Sequence, residues 1–216
     1  MRFTLLDGSP RARSNTAILL GALARGLAAE GCASELIHLA RPRDRAAAPE
    51  RFAAAEAVIL GFPLYTDAMP GQVMELIERL APLCGRAGNP RLGFLVQSGF
   101  PEPGQSRAIE RYLERLAARL GGPYLGTIVK GGVEGIQVMP PLMTRGLLGR
   151  LEQIGRTLGR TGALDAGELA ALAGPDWYPR WQRPLVKLFL ALGQSHWNRQ
   201  LKANGAYERR LDRPYA

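Results

Sequence analysis

Lysine is scarce in this chain. Among its 28 basic residues only Lys130, Lys187 and Lys202 are lysines, and the rest are arginines. No Lys precedes residue 130, so the Gly-Lys-Ser/Thr ending of a Walker loop is missing where a nucleotide-binding loop would fall. A dinucleotide fingerprint needs G-x-G-x-x-G, and the first polar loop holds Gly8 alone. His38 and His196 are far apart in sequence and beside no Ser or Cys nucleophile. They make no metal site and read as structural or solvated. Cys32 and Cys84 read as reduced thiols, not as a disulfide or a metal site. No carboxylate pair stands at glycosidase spacing, and no RNA- or DNA-binding motif is present. No apolar run reaches membrane-spanning length, and Asp7 interrupts the first one before it could serve as a secretory leader. A cytoplasmic location is the expectation.

A length of 216 residues suits one α/β domain with an appendage. The net charge of +9 admits nucleic acid or anionic lipid as a partner. However, an excess carried by Arg in a chain rich in Ala, Gly and Leu is also what a GC-rich coding sequence produces.

What is present is concentrated in Leu5 to Thr16, LLDGSPRARSNT. The apolar run Phe3 to Leu6 stops at Asp7-Gly8. Ser9, Arg11, Arg13, Ser14, Asn15 and Thr16 follow, and Ile18, Leu19, Ala22, Leu23 and Leu27 then recur at helical spacing. Strand, polar loop and helix in this order aim free N–H groups and a partial positive charge into a loop of hydroxyls and guanidiniums, which suits a phosphate. Capping of the helix by Ser14 or Asn15 is the simpler reading, but it needs one such residue and not the cluster.

Further strands are expected at Ser34 to Leu39, Ala57 to Gly61, Arg91 to Val96 and Tyr124 to Val129. Helices carry Val73, Met74, Ile77, Leu80 and Ala81, then Ile109, Leu113, Leu116 and Leu120, then apolar positions from Leu147 to Leu158, with a short helical piece near Pro49 to Ala55. The pattern predicts an α/β fold, a doubly wound parallel sheet of order 2-1-3-4-5. That order opens a crevice at the carboxyl ends of strands 1 and 3 and gathers the loops after strands 1, 3 and 4. Those three loops have unusual composition: the second is FPLYTDAMPG, from Phe62, and the third is QSGFPEPGQ, from Gln97.

GSPRARSNT resembles the opening loop of the NADPH-dependent FMN reductases and the related iron–sulfur flavoproteins, in the flavodoxin-like superfamily. The second loop is similar to that family's flavin-contacting loop. The resemblance covers Met1 to about Leu158. It implies that FMN is bound, with its phosphate at Ser9, Arg11, Ser14, Asn15 and Thr16 and its ring beside Pro63, Leu64, Tyr65, Thr66 and Asp67. Ser98, Gly99, Phe100 and Gln105 follow from the position of the third loop more than from its letters. The compact four-cysteine group of the iron–sulfur flavoproteins is missing from Ala40 to Pro49. No side chain is named as catalytic, because in such proteins the flavin carries the chemistry.

The expected function is an FMN-dependent NAD(P)H oxidoreductase, with NADPH or NADH as cosubstrate. Its acceptor would be a small molecule: a quinone, a nitro or azo compound, a metal ion or free flavin. The family implies a homodimer or tetramer. Two alternatives stay open: a flavodoxin-type electron carrier with no nicotinamide site, and a non-catalytic module whose basic tail engages a membrane or a partner. The expected division is 1–162 for the flavodoxin-like domain and 163–216 for a C-terminal helical extension. Lys130 to Met143 either roofs a substrate site or connects. Asp165 and Glu168 mark a capped short helix. From Gln182 to Lys202 a helix carries Leu185, Leu188, Phe189 and Leu192 as a stripe expected to pack on protein, with peripheral contact to an anionic membrane as the less favoured reading.

Overall fold

A computed structural model describes residues 1–213; within its last helix the side chains at 183, 185, 188–193 and 196 are outside the description. The expectations for Leu185, Leu188, Phe189, Leu192 and His196 therefore lie outside the described residues.

The apolar runs form one five-stranded parallel sheet. β1 (Arg2–Asp7), β2 (Ala33–His38), β3 (Ala57–Pro63), β4 (Arg91–Gln97) and β5 (Tyr124–Lys130) lie in the order β2-β1-β3-β4-β5, as the sequence predicts. β3 is buried along its whole length, as a near-continuous apolar run requires of a strand covered on both faces. Asp7 pairs with His38 on one side and Gly61 on the other, and Gln97 pairs with Pro63 and Lys130. All five carboxyl ends therefore finish along one edge of the sheet.

Alternation along the strands sends successive side chains into two cores. Phe3, Leu5 and Ile59 pack under α1 (Asn15–Ala29) and α5 (Pro141–Thr161). Leu6, Val58 and Leu60 pack under α2 (Pro42–Ala53), α3 (Gly71–Arg79) and α4 (Arg107–Leu120). α6 (Ala166–Ala173) is capped by Asp165, which accepts from the Glu168 N–H as expected, and it buries Leu172 in the α1/α5 core.

One helix differs from its expectation. α2 starts at Pro42, not near Pro49, and carries Pro49 inside it. A proline there removes an intrahelical N–H and costs roughly 3 kcal/mol. The cost is met partly from α3: Arg79 donates from Nη1 to the Arg45 carbonyl at 2.9 Å and from Nη2 to the Ala46 carbonyl at 2.8 Å. Ala46, Ala47 and Ala48 supply the helix propensity.

The chain divides into Met1–Asp176 and Trp177–Ala216. The 162/163 division read from the sequence follows the end of α5, one helix ahead. The second unit is built on α7 (Arg183–Ala203), which starts with Pro184 in its first turn. After it, Tyr207 holds Lys202 Nζ at 4.9 Å and Arg210 Cζ at 4.0 Å from its ring centre. Among the described residues, no helix is long and apolar enough to cross a membrane.

Candidate cofactor-binding site

The crevice at the switch point is built from four loops. The first leaves β1 through Asp7, whose side chain is fully buried. Asp7 Oδ1 accepts the Ser9 N–H at 3.0 Å, and Oδ2 accepts the Ser14 hydroxyl at 2.9 Å. Ser14 in turn caps α1, its Oγ accepting the Ala17 N–H at 2.8 Å. Gly8 donates to the Gly61 carbonyl at 2.7 Å. A side chain there would run into Val73, so the loop can pass only as glycine.

The loop that results has open donors. The backbone N–H groups of residues 12–16 meet no acceptor among the described residues, and the last two open the first turn of α1. Ser9 Oγ accepts from the Arg11 N–H at 3.3 Å, which leaves the hydroxyl proton to donate elsewhere. The Arg11 and Arg13 side chains are exposed beside them. Five consecutive N–H groups at a helix N-terminus, next to two guanidiniums, fit the doubly charged phosphate of FMN.

The side chains expected at the phosphate are divided by the structure. The Ser14 hydroxyl is committed to Asp7 and to the cap. Asn15 donates from Nδ2 to the carbonyls of Val133 at 2.9 Å and Glu134 at 3.1 Å, and accepts from Gln137 at 2.8 Å. Thr16 is buried and accepts from Gln97 Nε2 at 3.4 Å. At residues 14–16 it is the main chain that is open to a ligand.

The second loop continues β3 for one residue, with Leu64 donating to the Gln97 carbonyl at 2.8 Å. Tyr65 and Ala68 then exchange both backbone hydrogen bonds, at 2.9 and 3.0 Å. The two residues between them are left-handed: Thr66 at φ 49° and Asp67 at φ 60°. That is the geometry of a type I′ turn, which usually takes Asn and Gly. A β-branched residue at positive φ is strained, and such strain gathers at functional sites. The Thr66 and Asp67 N–H groups find no acceptor among the described residues, so they can meet the polar edge of a ring. Gln72 ties this loop to the first by donating to the Gly8 carbonyl at 3.1 Å. Pro63 and Leu64 are buried, and Tyr65 is 43% exposed. Behind the turn, Asp67, Met69, Met74, Ile77, Ile109 and Tyr112 line an open groove of about 470 Å³.

The third loop is held from below. Ser98 N–H donates to the Lys130 carbonyl at 3.1 Å and its hydroxyl to the Phe100 carbonyl at 3.0 Å. Gly99 lies against the Glu134 carboxylate. Phe100 is 59% exposed. Gln105 stands apart, half-buried in the 3-10 turn Pro103–Ser106 that leads into α4. Next in the chain, Arg107 donates from Nε to Asp176 at 2.9 Å and from Nη1 to Glu110 at 2.6 Å. The Asp176 hydrogen bond, with Glu110, raises its pKa.

The fourth loop, after β5, connects but also closes the site, because Asn15 and Gln137 fasten it to the first loop. Lys130, at the end of β5, turns its ammonium to the Leu172 carbonyl at 3.2 Å, at the C-terminus of α6. Burial, then the Arg150 charge, push its pKa below the ordinary value. Asp7, His38 and Gln137 were not foreseen from the sequence. Asp7 and His38 are separated by 31 positions and become neighbours only through strand register.

The sheet order, with helices on both faces, defines a flavodoxin-like fold, and the loop after β1 has open N–H groups at its switch point. Residues 1–129 match the family described as NADPH-dependent FMN reductase, and the chain belongs to that family. FMN is the flavin of this family and NAD(P)H its reductant. Among solved structures, the chain is similar to an NAD(P)H:quinone oxidoreductase from Methanothermobacter marburgensis, with 19% identity, a TM-score of 0.59, and 73% of this chain and 96% of that one covered. It is also similar to an NADH:FMN oxidoreductase (18% identity, TM-score 0.55, 76% and 90% covered) and to an azoreductase (13% identity, TM-score 0.54, 73% and 100% covered). At such identities the likeness speaks for the fold. No curated protein matches the sequence.

Proposed function

We propose that this chain is an FMN-dependent oxidoreductase that takes electrons from NADPH or NADH and passes them to a small-molecule acceptor such as a quinone, a nitro or azo compound, a metal ion or free flavin. The observation that carries the reading is the row of open N–H groups at residues 12–16, beside Arg11 and Arg13 and next to a second loop with open donors. Bound FMN would supply the redox chemistry that no cluster of side chains here offers.

The protein's own part is to bind and orient. The main chain of residues 12–16, the Ser9 hydroxyl and Arg11 hold the phosphate. Pro63 and Leu64 form a buried ledge, and the Thr66 and Asp67 N–H groups meet the polar edge of the ring. Tyr65 and Phe100, both exposed aromatics, cover its faces. Ser98 and Gly99 shape the far wall, and Gln105 is the outermost of these positions. The apolar groove behind the turn is consistent with a homodimer or tetramer, and a cytoplasmic location goes with this activity.

The test is an absorbance spectrum of the protein loaded with FMN, followed by anaerobic addition of NADPH or NADH and then of a benzoquinone. Bleaching of the flavin band by a nicotinamide without any partner protein, and its return with the quinone, is expected. No bleaching by either nicotinamide would favour the electron carrier.

A further inference from the structure

We propose that His38 is a positioning residue for the phosphate-binding loop, acting through Asp7. The inference rests on the reading that the loop after β1 holds the phosphate of FMN. His38 is the last residue of β2 and is paired in register with Asp7, the last residue of β1. Its Nδ1 lies 3.0 Å from Asp7 Oδ2, and its side chain is 15% exposed. A carboxylate only accepts, so the ring nitrogen that faces it carries the proton and donates.

With that bond made, the buried carboxylate has three donors: the Ser9 N–H on Oδ1, and the Ser14 hydroxyl and His38 ring on Oδ2. Each fixes something different. The Ser9 bond fixes the start of the loop. The Ser14 bond aims that hydroxyl proton inward, so its lone pair caps Ala17 and the N–H groups of residues 15 and 16 are left pointing out of the helix end. The His38 bond fixes the carboxylate itself. It is the one donor of the three that comes from outside the loop, so it ties the loop's geometry to the rigid sheet. β2 is further held at this end by Leu39, which donates to the Asp7 carbonyl at 2.9 Å, and by Arg41, which donates to the His38 carbonyl at 2.9 Å. Without the ring donor, the carboxylate keeps only Ser9 on Oδ1 and Ser14 on Oδ2, both from the loop itself, and its angle can shift together with the loop and the cap. His38 touches neither the chemistry nor the flavin. It makes the phosphate cradle rigid before the phosphate arrives.

The test compares FMN with riboflavin, which lacks the phosphate, by titrating each into the apoprotein and following the quenching of flavin fluorescence. Apoprotein melting temperatures are measured alongside. Wild-type protein is expected to prefer FMN. His38→Leu, which keeps volume but not the donor, is expected to reduce that preference tenfold or more while riboflavin affinity changes less than threefold. His38→Asn, which keeps an N–H donor at the position of Nδ1, is expected to stay within threefold of wild type. Should His38→Leu not fold, His38→Val, compatible with a strand, takes its place with the same expected loss. The proposal is overturned if the apolar variant keeps the FMN preference, if it weakens both flavins alike, or if His38→Asn loses as much as His38→Leu. A wild-type protein with no preference for FMN would overturn the phosphate reading itself, and is told apart because no variant is needed to see it.

Discussion

The loops after β1 and β3 leave neighbouring strands at the same edge of the sheet, yet they are held in opposite ways. The first is organised by side chains. A buried carboxylate, Asp7, collects Ser9, Ser14 and His38, and the backbone N–H groups of residues 12–16 are left over. No non-glycine residue in it has a positive φ. The second is organised by its own backbone, through the Tyr65–Ala68 pair, and stores strain at Thr66 and Asp67. A loop that satisfies its structure with side chains keeps its main chain free for an anion. A loop closed by main-chain bonds offers a fixed shape and a pair of outward donors, which suits the edge and face of a ring.

The two loops are expected to respond differently to loss of a side chain. Asp7→Ala would leave three donors, the Ser9 N–H, the Ser14 hydroxyl and the His38 ring, without this partner and is expected to destabilise the apoprotein by roughly 3–5 kcal/mol in urea denaturation. Tyr65→Ala, on the second loop, is expected to cost about 1 kcal/mol or less. Equal costs would erase the distinction.

A smaller effect is expected from Arg11→Ala. A charge-assisted contact is worth about 1.5–3 kcal/mol, so FMN affinity should fall roughly ten- to a hundredfold, with riboflavin little changed. Equal weakening of both flavins would place Arg11 away from the phosphate. The smallest effect should carry the opposite sign. Thr66→Asn puts a residue that accepts positive φ into the first position of the turn. The apoprotein should gain about 0.5–1 kcal/mol, read as a raised urea midpoint, while a loss of stability would mean that the Thr66 side chain does more than endure strain.

The fold was legible because its signals are local. Apolar runs marked the strands, and helical spacing marked α1, α3 and α4. Helix α2 was less so: Pro49 reads as a boundary, and the Arg79 guanidinium that makes it tolerable comes from a different helix. The first and second loops were also legible as places, since hydroxyls, guanidiniums and a Pro-Leu-Tyr run stand out in sequence. How each residue serves was not. Asn15 reads as a phosphate ligand, but its amide is bound to the loop after β5, more than a hundred positions away. His38 reads as a strand histidine with nothing near it. Its partner appears only once β2 lies against β1 with Asp7 and His38 in register. Ends of neighbouring strands are where such pairs form, and the expected order 2-1-3-4-5 already placed these two strands side by side.

In the proposed site the main chain of residues 12–16 receives the phosphate of FMN. Amide 1H–15N spectra of the apoprotein, titrated in parallel with FMN and with riboflavin, test it most directly. The amide resonances of residues 12–16 should shift strongly with FMN and little with riboflavin, while those of Thr66 and Asp67 should shift with both. If the resonances of residues 12–16 stay in place on FMN binding, or move as far with riboflavin, the phosphate is not held there.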